Sequence, residues 1–207
     1  MKSEKLYSLL AKVYDFLVLK ILGYEIAADY FVQQLPFIPN DKIDVLDAGC
    51  GTGLYTFAIL KKFPNAKIIA FDVNQNMLEE MRNKLKKTSM ENSISIFEAD
   101  ILSPPPESKQ FDLIITGGVL EHVELDRAIE NLSKYLKFGG YFLNAGVQKN
   151  LFGKTAGKFW GLKNLFSKEE IIYAFRNRGL TLVKHSILPF KYFLARLAKE
   201  AYIFKKL

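Results

Sequence analysis

The chain has a single cysteine among its 207 residues. That excludes an internal disulfide framework and fits a reducing, cytoplasmic setting. Histidine is nearly as scarce, with two. No cysteine pair, histidine pair or carboxylate cluster stands at metal-ligand spacing, so no required metal is expected. Long apolar runs are missing too. The longest, Phe16 to Leu22, is broken by Lys20 and falls far short of a bilayer span. Glu4, Lys12, Asp15 and Lys20 interrupt the apolar stretch that a signal peptide would need. There is no internal repeat, and Ser103-Pro104-Pro105-Pro106 reads as a short loop with no room for a helix. What the chain does have is 49% hydrophobic residues, enough to bury one full core, so a single domain is expected over 1–207.

The net charge of +7 is unevenly placed. Residues 147–207 hold 13 Lys/Arg against 3 Asp/Glu, leaving 16 against 19 for residues 1–146. Such a surplus is usually a solvated face, and it also attracts acidic surfaces or substrates.

The densest signal is Val45-Leu46-Asp47-Ala48-Gly49-Cys50-Gly51-Thr52-Gly53. A short apolar run, Ile43 to Leu46, meets an acid and then glycines at every second position; Leu54, Phe57, Ala58 and Leu60 follow at helical spacing. That is a strand, a tight turn and a helix N-terminus. Glycine admits backbone angles barred to other residues and lets a ligand lie against the main chain, whose amides and helix dipole favour a carboxylate or phosphate. The spacing is not the dinucleotide G-x-G-x-x-G, because Leu54 stands where the third glycine belongs, and no P-loop lysine follows. Asp47 would be unwelcome beside a pyrophosphate and suits a cofactor carrying an ammonium.

Four further strands follow. Lys67 to Phe71 ends in Asp72, whose carboxylate can accept both hydroxyls of a ribose; Asn74 is placed to cap the next helix. Ser93 to Glu98 ends near Asp100. Phe111 to Thr116 runs into Gly117-Gly118-Val119-Leu120-Glu121-His122. A fifth strand, near Tyr141 to Asn144, follows Gly139-Gly140, read as a helix stop.

These segments resemble the class I S-adenosylmethionine-dependent methyltransferases, the small type acting on quinone precursors, lipids and other small molecules. "VLDAGCGTG" is similar to that family's cofactor loop, "AFDVNQNML" to its ribose-acid segment, "FEADIL" to its adenine segment, and "FDLIITGGVLEHV" with "LKFGGYFLNAG" to its two later strands. The resemblance runs in order over residues 43–146. It implies an α/β fold: a doubly wound, mostly parallel sheet of seven strands, or six, with helices on both faces. It divides the chain into an N-terminal helical lid (1–38), a cofactor-binding core (39–146) and an acceptor-side cover with C-terminal strands and helices (147–207). The implied cofactor is S-adenosyl-L-methionine, leaving as S-adenosyl-L-homocysteine. Asp47 and the main chain from Gly49 through Cys50 and Gly51 to Gly53 would hold its methionine end. Asp72 would take the ribose, with Val73 and Met77 against the adenine. Asp100 would accept from the adenine amino group, Ile101 would offer a backbone amide, and Gly117 a carbonyl to the cofactor ammonium.

Acceptor choice lies in the flanks. Leu6, Leu9, Leu10, Val13, Phe16, Leu17 and Ile21 recur at helical spacing, and a second helix is expected from Tyr24 to Gln34. "AKVYDFL" resembles the segment that folds over the cofactor in small methyltransferases, making Tyr14 a catalytic-site candidate; the alternative is an aromatic that only packs. Residues 147–166 alternate glycines, aromatics and lysines and read either as a mobile cover, with Phe152, Phe159 and Trp160 as apolar walls, or as a surface connection. Ser167-Lys168-Glu169-Glu170 is a capping box for a helix ending at Gly179, and Leu180 to Ile187 reads as a sixth strand. Residues 191–207 admit two readings: a basic amphipathic helix in peripheral membrane contact, or a short helix leading into a very short antiparallel strand at Tyr202-Ile203-Phe204.

His122 is the candidate general base, against a plain role at a helix start; His185, in a strand, reads as structural, and Cys50 as a packing residue. The Asn/Asp-Pro-Pro-Tyr/Phe segment of enzymes methylating DNA-base or glutamine amines is missing, since Thr116-Gly117-Gly118-Val119 stands there. The leading expectation is in-line methyl transfer to a small, apolar or aromatic acceptor, a quinone precursor or lipid-like molecule. An RNA methyltransferase and a non-catalytic cofactor binder are the alternatives.

Overall fold

A computed structural model describes residues 23–88, 90–104 and 109–207, side chains at 156, 157, 159 and 160 excepted. The expected first helix and Tyr14 lie outside the described residues. The elements run α1 (Tyr24–Val32), β1 (Asp44–Ala48), α2 (Leu54–Lys62), β2 (Lys67–Asp72), α3 (Gln75–Leu85), β3 (Ile94–Glu98), β4 (Phe111–Gly117), α4 (Leu125–Ser133), β5 (Leu136–Val147), α5 (Leu151–Trp160), α6 (Lys168–Arg176), β6 (Leu180–Ile187), α7 (Phe193–Ala198) and β7 (Lys199–Lys206).

One seven-stranded sheet carries them all, in the order β3-β2-β1-β4-β5-β7-β6. β1 pairs in parallel with β2 and β4, β2 with β3, and β4 with β5. β7 runs antiparallel to both its neighbours. Strand order reverses between β1 and β4, where the connecting helices leave to opposite faces; a crevice for a ligand opens at the carboxyl ends of the strands there.

Both sheet faces are covered, which is why the strands read as near-continuous apolar runs. Alternate residues enter opposite cores. Val45, Ile68, Leu113, Leu143 and Ile203 pack with Phe31, Ile59, Phe63 and Met81 of the α1–α3 side. Leu46, Phe71, Ile114, Phe142 and Phe204 pack with Ile129, Leu132 and Phe175 of the α4 and α6 side. Phe175 and Phe204 stack with ring centroids 4.0 Å apart.

Local signals behave as their chemistry dictates. The Asn74 side chain accepts from the amides of Asn76 and Met77 at the start of α3. Ser167 and Glu170 close the capping box of α6.

Four expectations are corrected. Gly139-Gly140 is not a helix stop: α4 ends at Ser133, and both glycines lie inside β5. Phe111 pairs with Leu136 but Leu113 pairs with Tyr141, so β5 carries the longer side of a bulge, where Gly139 takes φ +75°. A bulge and a helix end recruit glycine for the same left-handed backbone. Second, within residues 147–166, read as a mobile cover or a surface connection, Leu151–Trp160 form a helix, α5, which the alternation of glycines, aromatics and lysines does not announce. A Cβ at Gly153 would stand 1.9 Å from the Gln148 carbonyl oxygen, so glycine there lets the helix start tight against the preceding turn. Third, the final strand is eight residues, Lys199–Lys206, not a short one at 202–204. Fourth, the reading of 191–207 as one basic amphipathic helix falls with it, since Lys199–Lys206 form β7 between β5 and β6. Lys206 donates to the carbonyls of Ser133 and Leu136, so part of the basic surplus satisfies backbone at the end of α4. No helix of the described residues is long and apolar enough to cross a membrane.

Candidate functional site

The carboxyl ends of β1, β2, β3, β4 and β5 open on one cavity of about 470 Å³, within the usual range for small-molecule sites. The loop after β1 forms its floor. The amides of Gly49 and Cys50 both donate to the Phe71 carbonyl, at 2.8 and 2.9 Å, tying that loop to β2. Gly49, Gly51 and Gly53 all take positive φ. At Gly49 a Cβ would lie 2.3 Å from Val119 Cγ2, whereas at Gly51 it would meet nothing within 4 Å. Gly49 is thus glycine for packing, and Gly51 presents bare main chain to the cavity.

Asp72 ends β2 on the cavity wall. Its Oδ2 accepts from the Gly51 amide at 2.8 Å and its Oδ1 from the Asn74 amide at 2.9 Å. An ionised carboxylate has about four acceptor sites, so each oxygen keeps capacity for a ligand hydroxyl. Asp100 follows β3 on the same wall; its Oδ1 accepts from the Leu102 amide at 2.8 Å.

The cavity brings together Gly49, Cys50, Gly51, Asp72, Val73, Met77, Asp100, Ile101, Gly117 and His122 of the sequence-expected residues. Asp47 and Gly53 are not among its lining. Gly53 starts α2, and a Cβ there would meet the Phe57 ring at 2.7 Å. Asp47 is 1% exposed behind the loop, where the Thr56 hydroxyl donates to its Oδ2 at 2.6 Å. Burial pushes its carboxyl up to about 7; the Thr56 hydrogen bond works against that rise and the charge of Asp72 adds to it. Burial likewise drives the Cys50 thiol far above its ordinary range, with the charges of Asp47 and Asp72 adding to the effect. A thiol held protonated in this way is a poor nucleophile. His185 sits away from the cavity, its Nε2 2.8 Å from Glu200 Oε2 and its ring stacked on Tyr202.

Some cavity residues carried no sequence signal. Tyr24 and Ala27 reach it from α1, Tyr55 from α2, Val147 from β5, Leu162 from the segment after α5, and Lys199 from β7. Only Tyr55, two residues past the glycine loop, could have been suspected. Its ring fills the space beside Gly117, where a Cβ would come within 2.4 Å of it. Phe152, expected as a wall, packs instead on the buried pair Tyr24 and Ala198. The side chains of Phe159 and Trp160 lie outside the described residues.

Comparison with known proteins agrees with this geometry. Residues 45–140 match a family described as a methyltransferase domain. The chain is 28% identical over 155 residues to malonyl-[acyl-carrier protein] O-methyltransferase 2 of Ilyobacter polytropus, covering 73% of this chain and 56% of that one. It is 30% identical over 115 residues to a demethylmenaquinone methyltransferase of Symbiobacterium thermophilum, covering 55% of this chain and 45% of that one. The chain therefore spans about half the length of these relatives. In fold it superposes on a geranyl diphosphate methyltransferase solved in complex with SAM, with a TM-score of 0.73 at 15% identity over 88% of this chain and 85% of that one.

Proposed function

We propose that this chain, which belongs to the class I S-adenosylmethionine-dependent methyltransferases, transfers a methyl group to a small, largely apolar acceptor of the quinone-precursor or lipid-like kind. The observation that carries the reading is the convergence of Asp72, Asp100 and the bare main chain at Gly51 on one cavity at the strand-order reversal. The lining residues suit the cofactor: two carboxylates on adjacent strand ends for its hydroxyls and adenine amine, apolar Val73 and Met77 beside them, and the main chain at Gly51 and Gly117 for its methionine end, with Asp47 buried behind the loop. When bound, S-adenosylmethionine supplies an electrophilic methyl on a sulfonium and leaves as a neutral thioether.

The protein's own contribution is orientation and exclusion of water. Tyr24, Leu54, Tyr55, Val119, Val147 and Leu162 give the acceptor end an apolar wall. His122 lies at an exposed position on the rim, placed to take a proton from an acceptor that must lose one. The names of the two relatives, a malonyl-[acyl-carrier protein] O-methyltransferase and a demethylmenaquinone methyltransferase, support a small acceptor group.

Calorimetric titration with S-adenosylmethionine tests the reading. The wild-type chain should bind saturably, and Asp72→Ala should weaken binding roughly 10- to 100-fold through loss of charge-assisted hydrogen bonds. No heat with wild-type protein would end the proposal. A label-transfer screen of quinols, lipids and RNA then identifies the acceptor class, because only an enzyme moves the label.

A further inference from the structure

Lys199 opens β7, where it pairs with Val147 of β5, and both line the cavity. It is 8% exposed. Its Nζ lies 4.6 Å from the Tyr24 ring centroid and 3.5 Å from where a Cβ on Gly118 would stand, just beyond the end of β4. Among the described residues no oxygen accepts a hydrogen bond from it. The nearby carboxylate is Glu121, whose Oε1 takes the Val147 amide at 2.6 Å and whose Oε2 has no hydrogen-bond partner, yet the two close no ion pair. The main chain around Lys199 is clamped, with the Gln148 side-chain amide donating to the carbonyls of Arg196 and Lys199 at 2.6 and 3.0 Å.

A lysine this buried is costly unless something pairs with it. Burial lowers its ammonium's pKa, and Glu121 partly opposes that. Among the described residues its partners are the Tyr24 ring face and the nearby Glu121 carboxylate, with which it closes no ion pair, so a hydrogen-bonding partner can come from the cavity's contents. Asp72 and Asp100 line the same cavity but accept from backbone amides and not from Lys199, so an anionic oxygen bound at the β7 end would give the ammonium the partner it lacks among the described residues.

We propose that Lys199 anchors the methyl acceptor through an anionic oxygen, so that the cavity selects small acceptors bearing a carboxylate or another acidic oxygen on an apolar body. This rests on the methyl-transfer reading above. The ammonium near Gly118 receives the acid group, Tyr24 and Val147 flank it, and the apolar wall takes the rest of the molecule.

The test compares 2-naphthoate with 2-naphthamide, titrated into protein saturated with S-adenosylhomocysteine, for wild type, Lys199→Met and Lys199→Arg, each checked by thermal melting. The acid should bind wild type roughly 10- to 100-fold more tightly than the amide. Lys199→Met should erase that preference while keeping amide binding, and Lys199→Arg should retain a preference for the acid. Equal binding of acid and amide to wild type, binding of neither, or a preference that survives Lys199→Met overturns the proposal. A second arm titrates S-adenosylmethionine and its decarboxylated form. If Lys199→Met weakens only the former, tenfold or more, the anion is the cofactor's own carboxylate and the acceptor assignment falls. A wild-type chain that takes neither cofactor form refutes the underlying methyl-transfer reading, and this inference with it.

Discussion

Replacing Asp47 by asparagine isolates the cost of a carboxylate kept behind the glycine loop. The carboxyl's folded pKa is raised from 3.8 to about 7, chiefly because burial disfavours the charged form. The folded state therefore holds its proton where the unfolded chain has released it. By linkage, stability falls as pH rises between those two values and levels off above the higher one. At about 1.36 kcal/mol per unit, the shift amounts to a loss on the order of 4 kcal/mol. Asparagine cannot ionise, and its amide oxygen can still accept from Thr56, so the variant lacks this term. The assay is urea unfolding of cofactor-free protein from about pH 4 to about pH 8.5, wild type beside Asp47→Asn. Groups remote from Asp47 titrate alike in both, so the difference in unfolding free energy is dominated by Asp47 together with its coupling to the Asp72 charge. That difference should grow in favour of the variant by up to about 4 kcal/mol, with most of the change complete near pH 7. A difference that stays constant with pH would show that the Asp47 carboxylate is solvated or paired in the fold, and the reasoning would fail.

Other perturbations follow from the same loop and its surroundings. Gly49→Ala forces a side chain into Val119 at a positive φ and should cost roughly 2–4 kcal/mol of stability, with weakened cofactor binding, whereas Gly51→Ala, which meets open space, should cost about 1 kcal/mol; paired urea melts and cofactor titrations check the contrast. Ser167→Ala breaks the capping box of α6 and should lower stability by about 1 kcal/mol without altering cofactor affinity.

Much of this architecture was legible because it is written in local chemistry. β1, β2, β3 and β4 appear as apolar runs, each followed by an acid or a glycine, because a doubly covered strand must be apolar and its carboxyl end must turn. The Asn74 cap, the Ser167 box and β6 could be placed from a few consecutive residues each. Where the reading failed, the same local chemistry serves two structures. Gly139 suits a bulge as well as a helix end, and lysines on an apolar repeat suit a strand end as well as a membrane helix. Inserting β7 between β5 and β6 decided the second case, since pairing on both sides stabilises eight residues that alone have no strong preference.

The sequence by itself determined the parallel sheet, its glycine loop and the acids at successive strand ends, since each depends on neighbours a few residues apart. Only the tertiary structure decided that Asp47 withdraws behind the loop, that Tyr24 and Tyr55 wall the cavity, and that one lysine of a basic tail turns inward as Lys199. Those outcomes depend on which distant strand ends come to lie side by side and how much water they exclude, and no short stretch of chain carries that information.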